Sequence, residues 1–176
     1  YSLILSIHAL LGTALVFHIV SIFDEVGKGR AEAFSYFIPA AIFSTLSNLF
    51  ASWISDKINL KPILIIMLIS FCLGSFGFIY LIHSWGFWLL AFGFGVGGGL
   101  WGVISNLTFI RFFGPKHLGE ISGLSASFNV IGSAIGPAAF SLGFDYFGSY
   151  TAPAKICLAL IIVLLLVAIF LKQREE

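Results

Sequence analysis

The sequence predicts an all-α integral membrane protein that crosses the bilayer six times, and three observations carry this prediction. Hydrophobic residues make up 59% of the 176 residues and charged residues only 10%, whereas a typical soluble domain is about one quarter charged. The mean hydropathy is +1.06. Six separate stretches reach the roughly 20 apolar residues that a spanning helix needs. Six buried helices of a soluble protein would leave almost no amphipathic helix to shield them from water.

The six predicted spans follow one another with short, charged separators. Their predicted bounds are residues 2–23, 33–55, 62–82, 85–110, 118–144 and 152–172. The first separator runs from Asp24 to Arg30, the second from Ser55 to Pro62, and the third is a tight turn at residues 83–86. The fourth, residues 111–117, and the fifth, residues 145–150, complete the set, and a charged tail follows the last span. These segments hold nearly all of the charge, as expected for loops outside a bilayer.

The distribution of Lys and Arg predicts the orientation. Six of these residues lie at one set of span ends and three at the other: Lys57, Lys61, Arg111, Lys116, Lys172 and Arg174 against Lys28, Arg30 and Lys155. Because basic residues concentrate in short cytoplasmic loops, both termini of this segment are expected in the cytoplasm.

Several classes of function find no support in the sequence. No basic run is long enough to follow a phosphate backbone, so nucleic acid is not expected as a partner. No nucleotide-binding glycine loop, metal-ligand cluster or nucleophile–base spacing appears, so we expect no catalytic residues, metal or cofactor. Cys72 and Cys157 both lie in apolar stretches, where cysteine behaves as a small hydrophobe. No Asp, Glu, Lys or Arg lies near the middle of a span, where a charge is usually functional.

The fourth span is dense in glycine. Gly95, Gly99 and Gly102 share one helical face, and Gly95 and Gly99 form a GxxxG pair. Small residues let helices approach closely in lipid, where no hydrophobic force drives them together. Close packing is the favoured interpretation, and flexing of the span is compatible with it.

Polar and aromatic residues of the same span form a stripe that includes Trp101 and Ser105. Such a stripe faces either neighbouring helices or a water-filled cavity. Hydrogen bonding between helices and the lining of a solute cavity both remain open for these residues.

The first span contains His8 and His18, ten residues apart, which corresponds to about 15 Å along a helix. Both could border one cavity and bind an anion or relay protons. Hydrogen bonding between helices is the commoner role for such histidines.

In the fifth span, Gly136 and Pro137 predict a kink with close packing beside it.

Two loops at the positive ends resemble those of a known family. The segment from Ser52 to Lys61 is similar to the signature loop of the major facilitator superfamily, G-x-x-x-D-R/K-x-G-x-R/K. Asp56, Lys57 and Lys61 match this pattern, while Ser52 and Asn59 replace its two glycines.

The segment from Arg111 to Gly123 resembles R-x-F-G-x-x-H-L-G-x-I-x-G, which is found in bacterial transporters near the monocarboxylate and oxalate–formate porters. The Gly136-Pro137 pair lies where that branch has the same two residues.

The resemblance implies a C-terminal half, helices seven to twelve of a transporter built from two three-helix repeats per half. It further implies a small solute such as an organic anion, protons as one candidate coupling ion, and a missing N-terminal six-helix half as partner, in a bacterial inner membrane. The chain begins at Tyr1 without an initiator Met, and we expect a fragment of a longer chain.

The resemblance also suggests roles for individual residues. The cavity candidates are His8, His18, Trp101 and Ser105, and the candidates for a cytoplasmic gate are Asp56, Lys57, Arg111 and Glu120. Asp56 and Arg111 could pair, and Glu120 lies in the first turn of its span, where the helix dipole favours an anion.

Two observations leave alternatives open. Monocarboxylate porters of animals place an acid–arginine pair in the helix that corresponds to residues 33–55, and this sequence has neither residue there. A homo-oligomeric six-span channel or carrier, or a membrane scaffold that transports nothing, would show the same hydropathy.

Overall fold

The chain forms seven α-helical segments that make six candidate membrane spans, in a computed structural model that describes residues 2–114 and 118–170. The helices are α1 (Ser2–Glu25), α2 (Arg30–Ser35), α3 (Phe37–Ser55), α4 (Leu60–Ile79), α5 (Ser84–Phe113), α6 (Leu118–Phe147) and α7 (Thr151–Phe170). The described residues contain no strand. The predicted all-α, six-span fold is therefore confirmed, and the predicted end of the last span at residue 172 lies outside the described residues.

The second span consists of α2 and α3 together, Arg30–Ser55, and a proline accounts for its interruption. Pro39 lies in the first turn of α3, where its missing N–H cannot bond to the carbonyl of Ser35. Tyr36 stands at the break with helical dihedral angles, so the axis continues while the hydrogen-bond ladder is interrupted.

Two glycines form the turns at one end of the bundle. Gly27 follows α1 with a φ of +75°, and Gly148 follows α6 with a φ of +69°. Residues with a Cβ rarely adopt this left-handed conformation. Glycine at these two positions therefore lets the chain reverse its direction directly after a long helix.

The helices pack as two inverted three-helix repeats. The first repeat is α1, α2–α3 and α4, and the second is α5, α6 and α7, which run in the opposite direction. The main contacts of α1 are with α6, and α5 packs on α3 in the corresponding way. The first helix of each repeat therefore packs against the second helix of the other repeat, a pattern compatible with two repeats of inverted topology.

The interior of the bundle is formed mainly by α4 and α5. Over their most apolar stretches 56% and 61% of their residues are buried, against 6% for α2–α3. Leu64, Met67, Phe71, Leu90 and Ile104 are fully buried in this core. Many large apolar residues of α3, α6 and α7 are exposed on the outside, as expected where lipid or another helical unit covers them.

Two ends of the bundle are fixed by polar contacts between helices. At the end that we call the Arg111 end, Arg111 contacts the end of α3, and Lys61 Nζ donates to the carbonyl of Ile169 at 2.8 Å. At the opposite, Glu25 end, the two carboxylate oxygens of Glu25 accept hydrogen bonds from Ser149 Oγ and Tyr150 N. Lys61 and Arg111 thus join helices at one end of the bundle, and Glu25 joins them at the other.

Candidate functional site

An open cavity of about 460 Å³ lies between α1, α2–α3 and α5. Residues of three spans line the cavity because α5 lies close to both α1 and α3. Tyr36, at the break in the second span, and the first residues of α3 also line it. The lining residues are His8, Gly12, Leu15, Val16, Tyr36, Phe37, Ala40, Ala41, Ser44, Phe94, Gly95, Gly98, Trp101 and Gly102.

Glycines of α5 determine how closely α3 approaches. A Cβ added at Gly95 would come within 2.7 Å of the Ala40 carbonyl oxygen, and one at Gly99 would overlap Ser47 and the backbone of Ser44. Across this contact Ser47 Oγ donates to the carbonyl of Val96 at 3.3 Å. The backbones can lie this close because no side chain separates them.

A second hydrogen bond joins α3 to α5 beside the glycines. Asn48 Nδ2 donates to the carbonyl of Gly99 at 3.0 Å. Gly102, one turn further along α5, lines the cavity, and a Cβ there would lie 2.9 Å from the same amide nitrogen. One wall of the cavity is therefore formed by α3 and α5, which pack closely against each other.

His8 lies at the cavity wall between two aromatic rings. Its imidazole stacks on Phe71 of α4, with ring centroids 5.3 Å apart, and lies 4.7 Å from the ring of Trp101. Nδ1 is buried and has no hydrogen-bond partner. Stacking thus fixes the plane of the ring and leaves one nitrogen enclosed.

Gly98 separates His8 from a hydroxyl on α3. A Cβ built on Gly98 would lie 3.4 Å from His8 Cε1 and 3.9 Å from Ser44 Oγ. Gly12, one turn after His8, would place a Cβ 3.8 Å from the same Cε1 atom. Two missing side chains therefore leave space beside the imidazole.

Trp101 ties α5 to α1 next to His8. Its indole Nε1 donates to the carbonyl of Leu5 at 2.9 Å, which satisfies the one polar atom of the ring. The ring is half-buried and forms part of the cavity wall. The cavity candidates His8 and Trp101 are thereby brought together.

The other two cavity candidates lie elsewhere. His18 is directed at α6 and the turn after it: its Nε2 lies 3.0 Å from the carbonyl oxygen of Pro137, and its Nδ1 lies 3.3 Å from the hydroxyl of Tyr150. Ser105 Oγ donates to the carbonyl of Gly102 on its own helix at 3.2 Å. Neither residue lines the 460 Å³ cavity.

The contact between α1 and α6 explains how the helix tolerates Pro137. The helix continues through Pro137, whose missing N–H leaves the carbonyl of Ser133 without its usual donor. Thr13 Oγ1 of α1 lies 3.2 Å from that carbonyl oxygen and 2.6 Å from the carbonyl oxygen of Ala9. Gly136, where a Cβ would overlap the carbonyl of Leu10, allows this approach.

The four gate candidates lie at the Arg111 end. Arg111 donates to the carbonyls of Ser55 and Ile58, at 2.5 and 3.2 Å. Between two described residues the salt bridge that the structure contains is Lys28–Glu32, so Arg111 and Asp56 do not form the pair that the sequence suggested. The guanidinium binds the end of α3 instead of its neighbouring carboxylate.

The remaining gate candidates are more exposed. Lys57 Nζ lies 4.0 Å from the centre of the Trp53 ring, a cation–π contact. Glu120 lies in the first turn of α6. Asp56 borders a polar groove of about 260 Å³ between α3 and α5, together with Asn48, Ser52 and Asn106.

Sequence reasoning missed several residues of the cavity. Tyr36 carries no pattern that distinguishes it, since its position depends on the interruption caused by Pro39. Ser44 belongs to a polar stripe on the second span, but only the α3–α5 contact brings it to Gly98. Within the described part of the chain, no group of three or more His, Cys, Asp or Glu side chains could hold a metal ion.

Comparison with known families gives one match that covers nearly the whole chain. The family model described as Major Facilitator Superfamily matches residues 2–176. No curated protein matches the chain. The superfamily consists of membrane transporters rather than enzymes, and half of its fold corresponds to the six spans observed.

Proposed function

The chain belongs to the major facilitator superfamily, and on that premise we propose that it is the C-terminal half of a secondary transporter for a small organic anion, of the monocarboxylate type. The observation that carries this proposal is the open cavity between α1, α2–α3 and α5. In this superfamily two six-helix units rock about a site near the midplane. A second unit, the N-terminal half, would close the cavity from its open side.

The composition of the cavity wall supports an amphipathic solute. None of the fourteen lining residues is Asp, Glu, Lys or Arg. Aromatic rings and glycines form most of the wall, and His8 and Ser44 offer polar atoms within it. Solute sites commonly combine an apolar wall with a few placed polar groups. An additional positive charge for an anion would come from the N-terminal half.

We assign the Arg111 end to the cytoplasm and to the gate. The sequence predicts six Lys and Arg residues at the span ends of this side and three at those of the other, which is the bias of cytoplasmic loops. Asp56, Lys57 and Glu120 present charge there, while Arg111 holds α3 against α5. Opening and closing of this end would control access to the cavity, in a bacterial inner membrane with both termini of this segment inside.

Uptake by the full-length protein in proteoliposomes tests the function. The probes are radiolabelled benzoate, butyrate and oxalate, with glucose as an uncharged comparison. We expect uptake of the monocarboxylates above protein-free liposomes, faster when the outside is more acidic if protons are the coupling ion. An absence of uptake of every probe in both the presence and absence of the pH gradient would contradict the proposal.

The Asp56→Asn variant tests the gate separately from the cavity. It removes one charge at the Arg111 end and leaves the cavity wall unchanged, since Asp56 borders the separate polar groove. Slower transport with unchanged binding of benzoate is the expected result. A change in binding affinity alone would contradict the separation of gate and cavity.

A further inference from the structure

The imidazole of His8 is held with its two nitrogens in different environments. Nδ1 is buried and unpartnered, while Nε2 is not among the buried, unpartnered polar atoms of the described residues. The ring also borders the cavity. Nε2 is therefore the nitrogen that a solute can reach.

The environment of Nδ1 selects a tautomer. A neutral imidazole carries one N–H and one acceptor nitrogen. A proton on Nδ1 would be a buried N–H without an acceptor, which folded proteins avoid more strictly than an unpaired acceptor. With the proton on Nε2 instead, the neutral imidazole has its N–H donor on the less buried of its two nitrogens.

The Ser44 hydroxyl supplies a second donor near Gly98. The His8 Cε1 and Ser44 Oγ atoms are both within 4 Å of the point where a Cβ of Gly98 would stand. The hydroxyl of Ser44 is a cavity-lining group on α3, and His8 is on α1. Gly98 thus leaves a small space flanked by the imidazole ring of His8 and by the hydroxyl of Ser44, from two different helices.

From this arrangement we propose that His8 Nε2–H and Ser44 Oγ–H form a carboxylate subsite beside Gly98, for a solute whose apolar body rests on Trp101 and Phe94. The proposal rests on the proposed function and makes it more specific. A carboxylate has two acceptor oxygens, which suits two converging donors. The aromatic walls favour a benzoate-like or short-chain aliphatic monocarboxylate over oxalate, whose second carboxylate would meet apolar rings.

Two isosteric substitutions of His8 test which nitrogen acts. The side-chain amide of Gln reaches approximately to the position of Nε2, whereas that of Asn reaches only to the position of Nδ1. In the full-length protein His8→Gln should keep the KM for benzoate within about threefold. His8→Asn should raise it about tenfold or more, as expected when a hydrogen bond to a charged group is lost.

Substitutions at the other two positions test the space. Gly98→Ala places a methyl group 3.4 Å from His8 Cε1 and 3.9 Å from Ser44 Oγ, where it would fill the space, and should raise the KM for benzoate by about tenfold. Ser44→Ala should raise it by about two- to tenfold, the range for a single hydrogen bond. Gly123→Ala is the matched control for an added methyl, because a Cβ there meets nothing within 4 Å, and it should leave the KM unchanged.

Equilibrium binding of radiolabelled benzoate to the purified full-length protein separates the subsite from transport. Binding that is weakened by His8→Asn and Gly98→Ala, without transport, would support the subsite and overturn the transport proposal. Transport with a KM unaffected by any of these variants would overturn the subsite alone. An absence of both binding and uptake of benzoate would overturn both.

Discussion

The guanidinium of Arg111, at the end of α5, caps the end of α3 by donating to the carbonyl oxygen of Ser55 at 2.5 Å. A second donor, Nη1, reaches the carbonyl of Ile58 at 3.2 Å. The last carbonyls of a helix lack partners within the helix and carry the negative end of its dipole. Arg111 therefore joins the two spans that form one side of the cavity, at the end remote from Glu25.

Loss of the Arg111 cap should destabilise the full-length protein. Arg111→Gln should lower the free energy of unfolding by about 1–2 kcal/mol, since a charged hydrogen-bond donor to the Ser55 carbonyl is lost. SDS titration monitored by circular dichroism measures this change.

Lys57→Gln serves as the matched control at the same end. Lys57 is exposed and contacts the Trp53 ring, so its loss should change the free energy of unfolding by at most about 0.5 kcal/mol. Equal losses for the two variants would contradict the capping role of Arg111.

Gly99 and Gly98 are adjacent in sequence, but substitution by alanine should lower the stability of the protein only at Gly99. A Cβ at Gly99 would overlap Ser47 Oγ and the Ser44 carbonyl, which belongs to backbone and cannot rotate away. Gly99→Ala should therefore destabilise the protein by about 1–3 kcal/mol through overpacking of α3 on α5. Gly98→Ala, with a nearest contact at 3.4 Å, should retain near-native stability. Thermal unfolding in detergent distinguishes the two, and equal stability would contradict the close contact at Gly99.

Thr13 and Pro137 should be energetically coupled. Thr13→Val removes the hydroxyl that can bond to the Ser133 carbonyl and should cost about 0.6 kcal/mol, typical of hydrogen bonds between membrane helices. In a Pro137→Ala background, residue 137 supplies its own N–H to Ser133, so Thr13→Val should cost less.

A double-mutant cycle on the free energy of unfolding measures this coupling. The variant Thr13→Ser keeps the hydroxyl and serves as the control. The same cost of Thr13→Val in both backgrounds would show that Thr13 bonds only to carbonyls of its own helix, those of Ala9 at 2.6 Å and Leu10 at 3.2 Å.

The sequence was sufficient to predict the elements because local chemistry determines them. Apolar runs long enough to cross a bilayer end at charged separators such as Asp24-Glu25 and Asp56-Lys57, and the helices end near these points. The superfamily was also identified correctly from two loops. Both features depend on residues that are close together in the chain.

Features that depend on packing could not be predicted in this way. The destination of Arg111 is a backbone carbonyl of α3, which no residue type indicates, and Asp56 was the more obvious partner. The neighbourhood of His8 and Ser44 arises from the separation of α1 and α3 by the width of Gly98. His18 contacts Pro137 of α6 and Tyr150 of the turn after it, and these residues are more than 100 positions away from His18 in the sequence.

The most direct test of the central claim is a structure of the full-length transporter with 4-bromobenzoate, in which anomalous scattering locates the bromine. The account predicts a carboxylate within about 3 Å of His8 Nε2 and Ser44 Oγ, with the bromine on the side of Trp101 and Phe94. A ligand bound in another part of the protein, with the space beside Gly98 empty, would contradict it.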